Sequence, residues 1–258
     1  RPTDPVHKAC VQQILQKIFD QGEIYLKDYQ GLYCVGCERF LDEAEMDDGD
    51  CPDHQITPES YKEQNYFFRM SSYQDWLVEE LEHNESWVYP GRYRNELIQF
   101  LKAPLKDLCI SRPKNRLAWG IDLPFDDKFV TYVWFDALLN NVSALGWPEG
   151  EKFQKYWPHV HHIIGKDILK THGIYWPCML KAAGLPVFKK LLVHGHWIVD
   201  GSKKSKSLGN VVDPLAMKDH LGVDALRYFL LRDMSFGEDS NFTEELAITR
   251  YNLSLIHI

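Results

Sequence analysis

Two stretches of this sequence hold side chains whose types and spacing could do chemistry. Cys34-x-x-Cys37 and Cys51-x-x-His54 are two closely spaced pairs of soft and borderline metal ligands. Knuckles of this spacing can close a tetrahedron around one Zn²⁺; with Cys34, Cys37, Cys51 and His54 filling all four corners, no position is left for water, so the expected role is structural. The surrounding segment is rich in Asp and Gly and has little core of its own, and metal binding supplies folding free energy on the order of 10 kcal/mol in small zinc peptides. Unligated buried cysteines are the plainer alternative. The second stretch is Gly201-Ser-Lys-Lys-Ser-Lys-Ser-Leu-Gly-Asn210. Its glycines, hydroxyls and lysines suit a loop that closes over phosphate at the end of a strand, and a solvated basic turn is the competing reading.

The elements around these residues predict an α/β fold. Asp4 and Pro5 pair as N-cap and first turn, and Val11, Ile14, Leu15 and Ile18 follow at helical spacing until Gly22. From Tyr25 to about Leu108 the pattern reads as irregular, with an amphipathic stretch through Tyr73, Trp76, Leu77 and Leu81, as in an inserted small domain. Val130 to Phe135 and His161 to Ile164 are near-continuous apolar runs, as strands of a buried parallel sheet require. Ile168 to Leu180 reads as a helix closed by Gly184, and Leu191–Val193 and Trp197–Val199 read as strands, the latter ending in an Asp200-Gly201 turn. Asp213 and Pro214 open a helix that Gly222 ends, and Asp224 is expected to cap the next, which starts a helical domain.

Composition narrows the function. The 258 residues are 45% hydrophobic, enough for a substantial core, and no run of eighteen apolar residues is present to span a membrane. With no signal-like N-terminus, a cytoplasmic place is the expectation. A formal charge of −8 argues against holding nucleic acid through bulk electrostatics, so any RNA contact is local. Cys10, Cys109 and Cys178 stand alone in apolar surroundings and read as core residues rather than a disulfide framework.

The lysine-serine loop resembles the lysine-methionine-serine-lysine-serine signature of class I aminoacyl-tRNA synthetases, with Lys203 to Ser207 in the five positions and Lys204 where the family usually has methionine. The Leu-Gly-Asn-Val-Val-Asp-Pro that follows is typical of that class. Gly31-Leu-Tyr-Cys-Val-Gly-Cys-Glu-Arg39, Asn65-Tyr-Phe-Phe-Arg-Met70, Tyr132-Val-Trp-Phe-Asp-Ala137 and Gly165-Lys-Asp-Ile168 with His172 resemble methionyl-tRNA synthetases of the bacterial single-zinc-knuckle type. Together these segments cover nearly the whole chain. The resemblance implies a Rossmann-like parallel-sheet core, incomplete and cut at both ends, with residues 1–28 and 108–214 as its two parts. Residues 29–107 would be the inserted connective domain with the zinc knuckle, and 215–252 the start of a C-terminal helical domain. Residues 253–258, Leu-Ser-Leu-Ile-His-Ile, match one reading frame of a transposon-derived sequencing adapter and are expected to be a non-native tail.

By matching position, the resemblance implies a methionine pocket lined by Trp134, Ala137 and His172, with Leu138 and Asn141 standing where relatives often have proline and tyrosine. It implies ATP binding by Gly165, Asp167, Ile168, Lys203, Ser205 and Lys206, and catalytic roles for Lys203, Lys206 and Arg112. A core tryptophan, a helix-capping Asp167 and a surface ion pair of Arg112 are the plainer readings. The implied partners are methionine, ATP with Mg²⁺ and tRNA(Met), and the reaction needs no enzyme nucleophile, only alignment and stabilisation of phosphate charge. The family's histidine-isoleucine-glycine-histidine motif does not occur in these residues, so the chain by itself is expected to have little adenylation activity. Two other readings stay open: a different class I synthetase, or a zinc-stabilised tRNA- or protein-binding module without catalysis.

Overall fold

A computed structural model describes residues 2–36, 39–41, 46–52, 54–199, 202–203 and 213–256. The first element is helix α1 (Pro5–Asp20), where the Asp4 carbonyl accepts from Lys8 N at 3.0 Å. Val11, Ile14, Leu15 and Ile18 are fully buried, and Gly22 turns the chain with φ at 77°. The stretch expected to be irregular then contains two long strands: β1 (Ile24–Cys34) carries the short β2 (Arg39–Leu41) on one side and β3 (Glu59–Phe68) on the other, both antiparallel. The amphipathic stretch is helix α2 (Gln74–His83), with Leu77 and Leu81 buried. Strand β4 (Val88–Tyr89) and helix α3 (Gly91–Phe100) follow.

Strand β5 (Leu108–Cys109) closes the first sheet, in the order β2-β1-β3-β5. Strands β6 (Ser111–Pro113), β7 (Asp122–Leu123) and β8 (Asp126–Thr131) make a second antiparallel sheet, β6-β8-β7. The apolar run at Val130 to Phe135 is not a single strand. It ends at Thr131, and helix α4 (Val133–Ser143) begins two residues later, so Trp134 stands on a helix's first turn and not on a strand. A short run of apolar residues fits either period, and Tyr132 N bonding Ile110 O at 2.7 Å is the last sheet contact before the switch.

Helix α5 (Glu151–Tyr156) leads to strand β9 (His161–Gly165). The helix expected over 168–180 is interrupted: a 3₁₀ turn at Lys166–Ile168 and a π turn at Thr171–Tyr175 precede α6 (Trp176–Ala182). Strand β10 (Lys190–His194) lies between β4 and β9, parallel to both. Thus β4, inside the stretch expected to be an insert, pairs with the strands after it. The fold is α/β, with one parallel and three antiparallel or mixed sheets among the described residues. Strand β11 (Trp197–Val199) pairs antiparallel with β12 (Ser202–Lys203) and parallel with β13 (Ser240–Asn241).

Helix α7 (Pro214–Leu221) starts as expected, the Asp213 side chain accepting from Leu215 N at 2.8 Å. Helix α8 (Val223–Arg232) is entered through Gly222, φ 81°, and Asp224 lies in its first turn and is not its cap. Helix α9 (Glu244–Ile256) continues past Asn252, where the helical pattern is expected to give way. One large core joins α1, α2, α3, α4 and α6 to the parallel strands, and Met217, Phe229, Phe242 and Ala247 form a second, smaller one against Trp197. No helix among the described residues is long and apolar enough to cross a membrane.

Candidate active site and metal centre

Strands β9 and β10 end side by side, with Gly165 in register with His194. The carboxyl ends of parallel strands are where open α/β sheets bind ligands. A Cβ at Gly165 would stand 2.6 Å from Asp167 Oδ1 and 3.7 Å from His196 Nε2, so a side chain there would displace the carboxylate from over the strand end. His196 Nε2 meets Asp167 Oδ1 at 3.0 Å, and the Asp167 side chain is 46% exposed. Asp239 reaches in from the far side of the sequence: its Oδ1 accepts from His196 N at 2.8 Å and its Oδ2 pairs with Lys166 Nζ at 2.5 Å. The His196 amide and the Lys166 ammonium hold the Asp239 carboxyl below the usual range.

The π turn carries His172. Its Nδ1 lies 3.0 Å from Ile168 O, so this nitrogen bears the proton and Nε2 is left as an acceptor; burial lowers its pKa and keeps it neutral. The hydrogen bond also links His172 to the segment of Gly165, Asp167 and Ile168. Within the π turn Gly173 packs against Leu97 of α3, whose Cδ1 would be 2.5 Å from an added Cβ. Trp134 and Ala137, both half-buried, lie on the first two turns of α4. Burial pushes Asp136 between them up to about 6. Asn141 donates its amide to Leu138 O of the same helix at 3.0 Å.

Arg112 is not a surface ion pair. It is buried in β6, donating from Nη1 to Ser111 O at 2.7 Å and to Cys109 Sγ at 3.3 Å, with its guanidinium 4.8 Å from the Tyr132 ring and 5.5 Å from the Tyr33 ring. Cys109 therefore touches a cation, whereas Cys10 and Cys178 are core thiols as expected. Tyr132 immediately precedes α4, so Arg112 braces the root of the helix that bears Trp134. Of the lysine-serine loop, Lys203 is described through its backbone, opposite Ile198 of β11, the strand that starts next to His196. Lys204, Ser205, Lys206 and Ser207 lie outside the described residues.

At the other end of β1 a candidate metal centre is assembled. Cys34 and Cys51 are buried and His54 exposed, with donor atoms all within 4.8 Å of one another. Cys51 Sγ and His54 Nδ1 are 3.9 Å apart, and Gln55 N bonding Cys51 O at 2.7 Å makes the knuckle turn. Gly36 gives the His54 ring room, since a Cβ there would be 2.6 Å from Cδ2. Two thiols and an imidazole suit Zn²⁺, and Cys34 and Cys51 form no disulfide. Cys37, the expected fourth ligand, lies outside the described residues. Leu41 is the only other buried residue described in this small cluster, with Met46 against it.

Sequence reasoning missed Lys166, His196 and Asp239, and also the two tyrosines over Arg112. His194-Gly195-His196 between two strands is a visible signal. Nothing in local spacing pairs Asp239 with it.

A glycine, a carboxylate and imidazoles gather at parallel strand ends in an α/β fold, and comparison makes the class specific. A family model for tRNA synthetases class I (M) matches residues 1–57 and 54–258, and the chain belongs to that family. The methionine–tRNA ligase of Caldanaerobacter subterraneus subsp. tengcongensis is 48% identical over 257 residues, 99% of this chain and 40% of the relative. That of Clostridium tetani is 47% identical over 258 residues, again 99% of this chain and 40% of the relative. Mycobacterium tuberculosis methionyl-tRNA synthetase bound by methionyl-adenylate superposes with a TM-score of 0.91 at 39% identity, covering 99% of this chain and 51% of that one. Its apo form gives 0.87 at 37%, covering 99% and 50%. The chain thus spans about 40% of the length of these two curated relatives.

Proposed function

We propose that this chain is the catalytic portion of a methionine–tRNA ligase, which activates methionine with Mg²⁺-ATP to methionyl-adenylate and transfers it to tRNA(Met). The observation that carries this is the match across 99% of the chain to a synthetase solved with methionyl-adenylate bound. The strands β4, β10 and β9 are read as a Rossmann-like core with residues 1–28 and the 108–214 segment around it, the part of the 29–107 stretch before β4 as the connective insert, and 215–252 as the start of a helical domain. Gly165, Asp167 and Ile168 would hold adenosine and ribose, the carboxylate accepting sugar hydroxyls. Trp134, Ala137 and His172 would line the methionine side chain, where sulfur-aromatic contact contributes roughly 0.3 to 1.5 kcal/mol. Lys203, Ser205 and Lys206 would cover the phosphates, the lysines countering charge on the leaving pyrophosphate.

Arg112 is supported as a brace for the pocket helix through Tyr132, rather than as a group touching phosphate, by its burial beneath two tyrosine rings. Zn²⁺ at Cys34, Cys51, His54 and Cys37 would supply folding free energy to the far end of β1. A cytoplasmic place follows from a role in translation. The test is thermal unfolding of the full-length protein with a non-hydrolysable methionyl-adenylate analogue. Binding at a hundredfold excess over Kd stabilises by about 2.7 kcal/mol, a clear rise in Tm. No shift, or an equal shift with the leucyl counterpart, overturns the reading.

A further inference from the structure

We propose that His196 is a positioning residue of the strand-end site: its imidazole orients the Asp167 carboxylate, and Asp239 anchors the His196 backbone amide from the loop leading into helix α9. The inference rests on the nucleotide reading of these strand ends given above. Asp167 sits on a 3₁₀ turn with its side chain 46% exposed, where a carboxylate samples several rotamers unless something holds it. The contact at 3.0 Å from His196 Nε2, whose own side chain is only 18% exposed, selects one of them. An imidazole N–H occupies one of the roughly four acceptor positions of a carboxylate, so it orients the group without saturating it.

Asp239 pairs with Lys166 Nζ at 2.5 Å while its other oxygen accepts the His196 amide at 2.8 Å. One carboxylate thereby fixes the backbone of the orienting residue and ties it to the turn that carries Asp167. The close approach is built into the backbone. A Cβ at Gly195 would lie 2.6 Å from Asp239 N and closer still to the Glu238 carbonyl, so only glycine lets the two segments meet. On the other side, Arg92 and Tyr93 at the start of α3 both bond Gly237 O, and Arg92 pairs with Glu238. The Gly237–Asp239 segment is thus held on both flanks, and β13, directly after it, pairs with β11.

The experiment uses the full-length protein and two ligands, the methionyl-adenylate analogue and its 2′,3′-dideoxy counterpart, with affinities measured by calorimetry. His196→Ala is expected to weaken the ribose-bearing analogue about 10-fold, as loss of one hydrogen bond to a charged group does, and the dideoxy form less than about 2-fold. His196→Gln, which offers an N–H at a similar reach, is expected to recover most of the loss. Asp239→Asn gives a smaller loss with the same dependence on the sugar, and serves if the first variant fails to fold. A purely structural role would lower both affinities alike, and that result, or no loss for either ligand, overturns the proposal. If the unaltered protein binds neither compound, the nucleotide reading itself fails and this inference falls with it.

Discussion

The indole Nε1 of Trp176 donates to Nε2 of His162 across 3.1 Å, inside the core. That bond needs Nε2 unprotonated. Burial, and then the neighbouring His172, push the His162 pKa down to about 4 from 6.5. The unfolded chain therefore takes up a proton that the folded chain refuses, and stability falls as pH drops from about 6.5 towards 4, then levels. At the low end the loss is about 3 kcal/mol for His162, since each tenfold change in proton affinity is worth about 1.4 kcal/mol. His7 and His172 are lowered too and act in the same direction. In a pH series of unfolding midpoints, His162→Gln, which keeps an acceptor for the indole but cannot ionise, is expected to flatten this acid slope. An unchanged slope would show that His162 is not its source.

Much of the scaffold was legible in the sequence because its periodicity was clean. Val11, Ile14, Leu15 and Ile18 mark one helical face, and each has no exposed surface. The β1 and β3 pairing was hidden because polar residues run consecutively, Lys27-Asp28 on one strand and Lys62 to Asn65 on the other, and break the apolar alternation that marks a strand. The turn from β8 into α4 was hidden because the run Val-Thr-Tyr-Val-Trp-Phe is apolar through both elements. In the site, Gly165, Asp167 and His172 could be named from resemblance, being close in sequence. The Asp239 contacts could not, because only the tertiary fold brings that residue to Lys166 and His196.

The candidate metal centre makes a second prediction. Cys34 and Cys51 are two of the three buried residues in their cluster, so without a metal little apolar burial secures the end of β1. Chelation is expected to speed amide exchange at Leu32, Tyr33 and the paired Leu41, leaving β9 and β10 protected. Cys51→Ser is expected to abolish stoichiometric zinc in elemental analysis and cost several kcal/mol locally, within the order of 10 kcal/mol that structural zinc supplies. Full zinc occupancy in that variant would remove Cys51 from the ligand set.

Asp136 gives the third. It lies in the first turn of α4, where the helix dipole and a hydrogen bond from the Ala137 amide both favour its charged form. Burial outweighs them and raises its pKa from 3.8 to about 6. The sign follows directly: with the folded value above the unfolded one, the favourable contribution is complete below pH 3.8 and lost as pH rises through about 6. At pH 8 the charge is a liability of about 2 kcal/mol, a figure reduced from the full proton-affinity difference because the side chain still meets solvent. Asp136→Asn keeps the shape and removes the charge. It is expected to raise the unfolding midpoint at pH 8 and to leave it unchanged near pH 3.5. A midpoint that falls at pH 8 would mean the charged carboxylate is held by a favourable partner, and burial would no longer be the dominant influence on it.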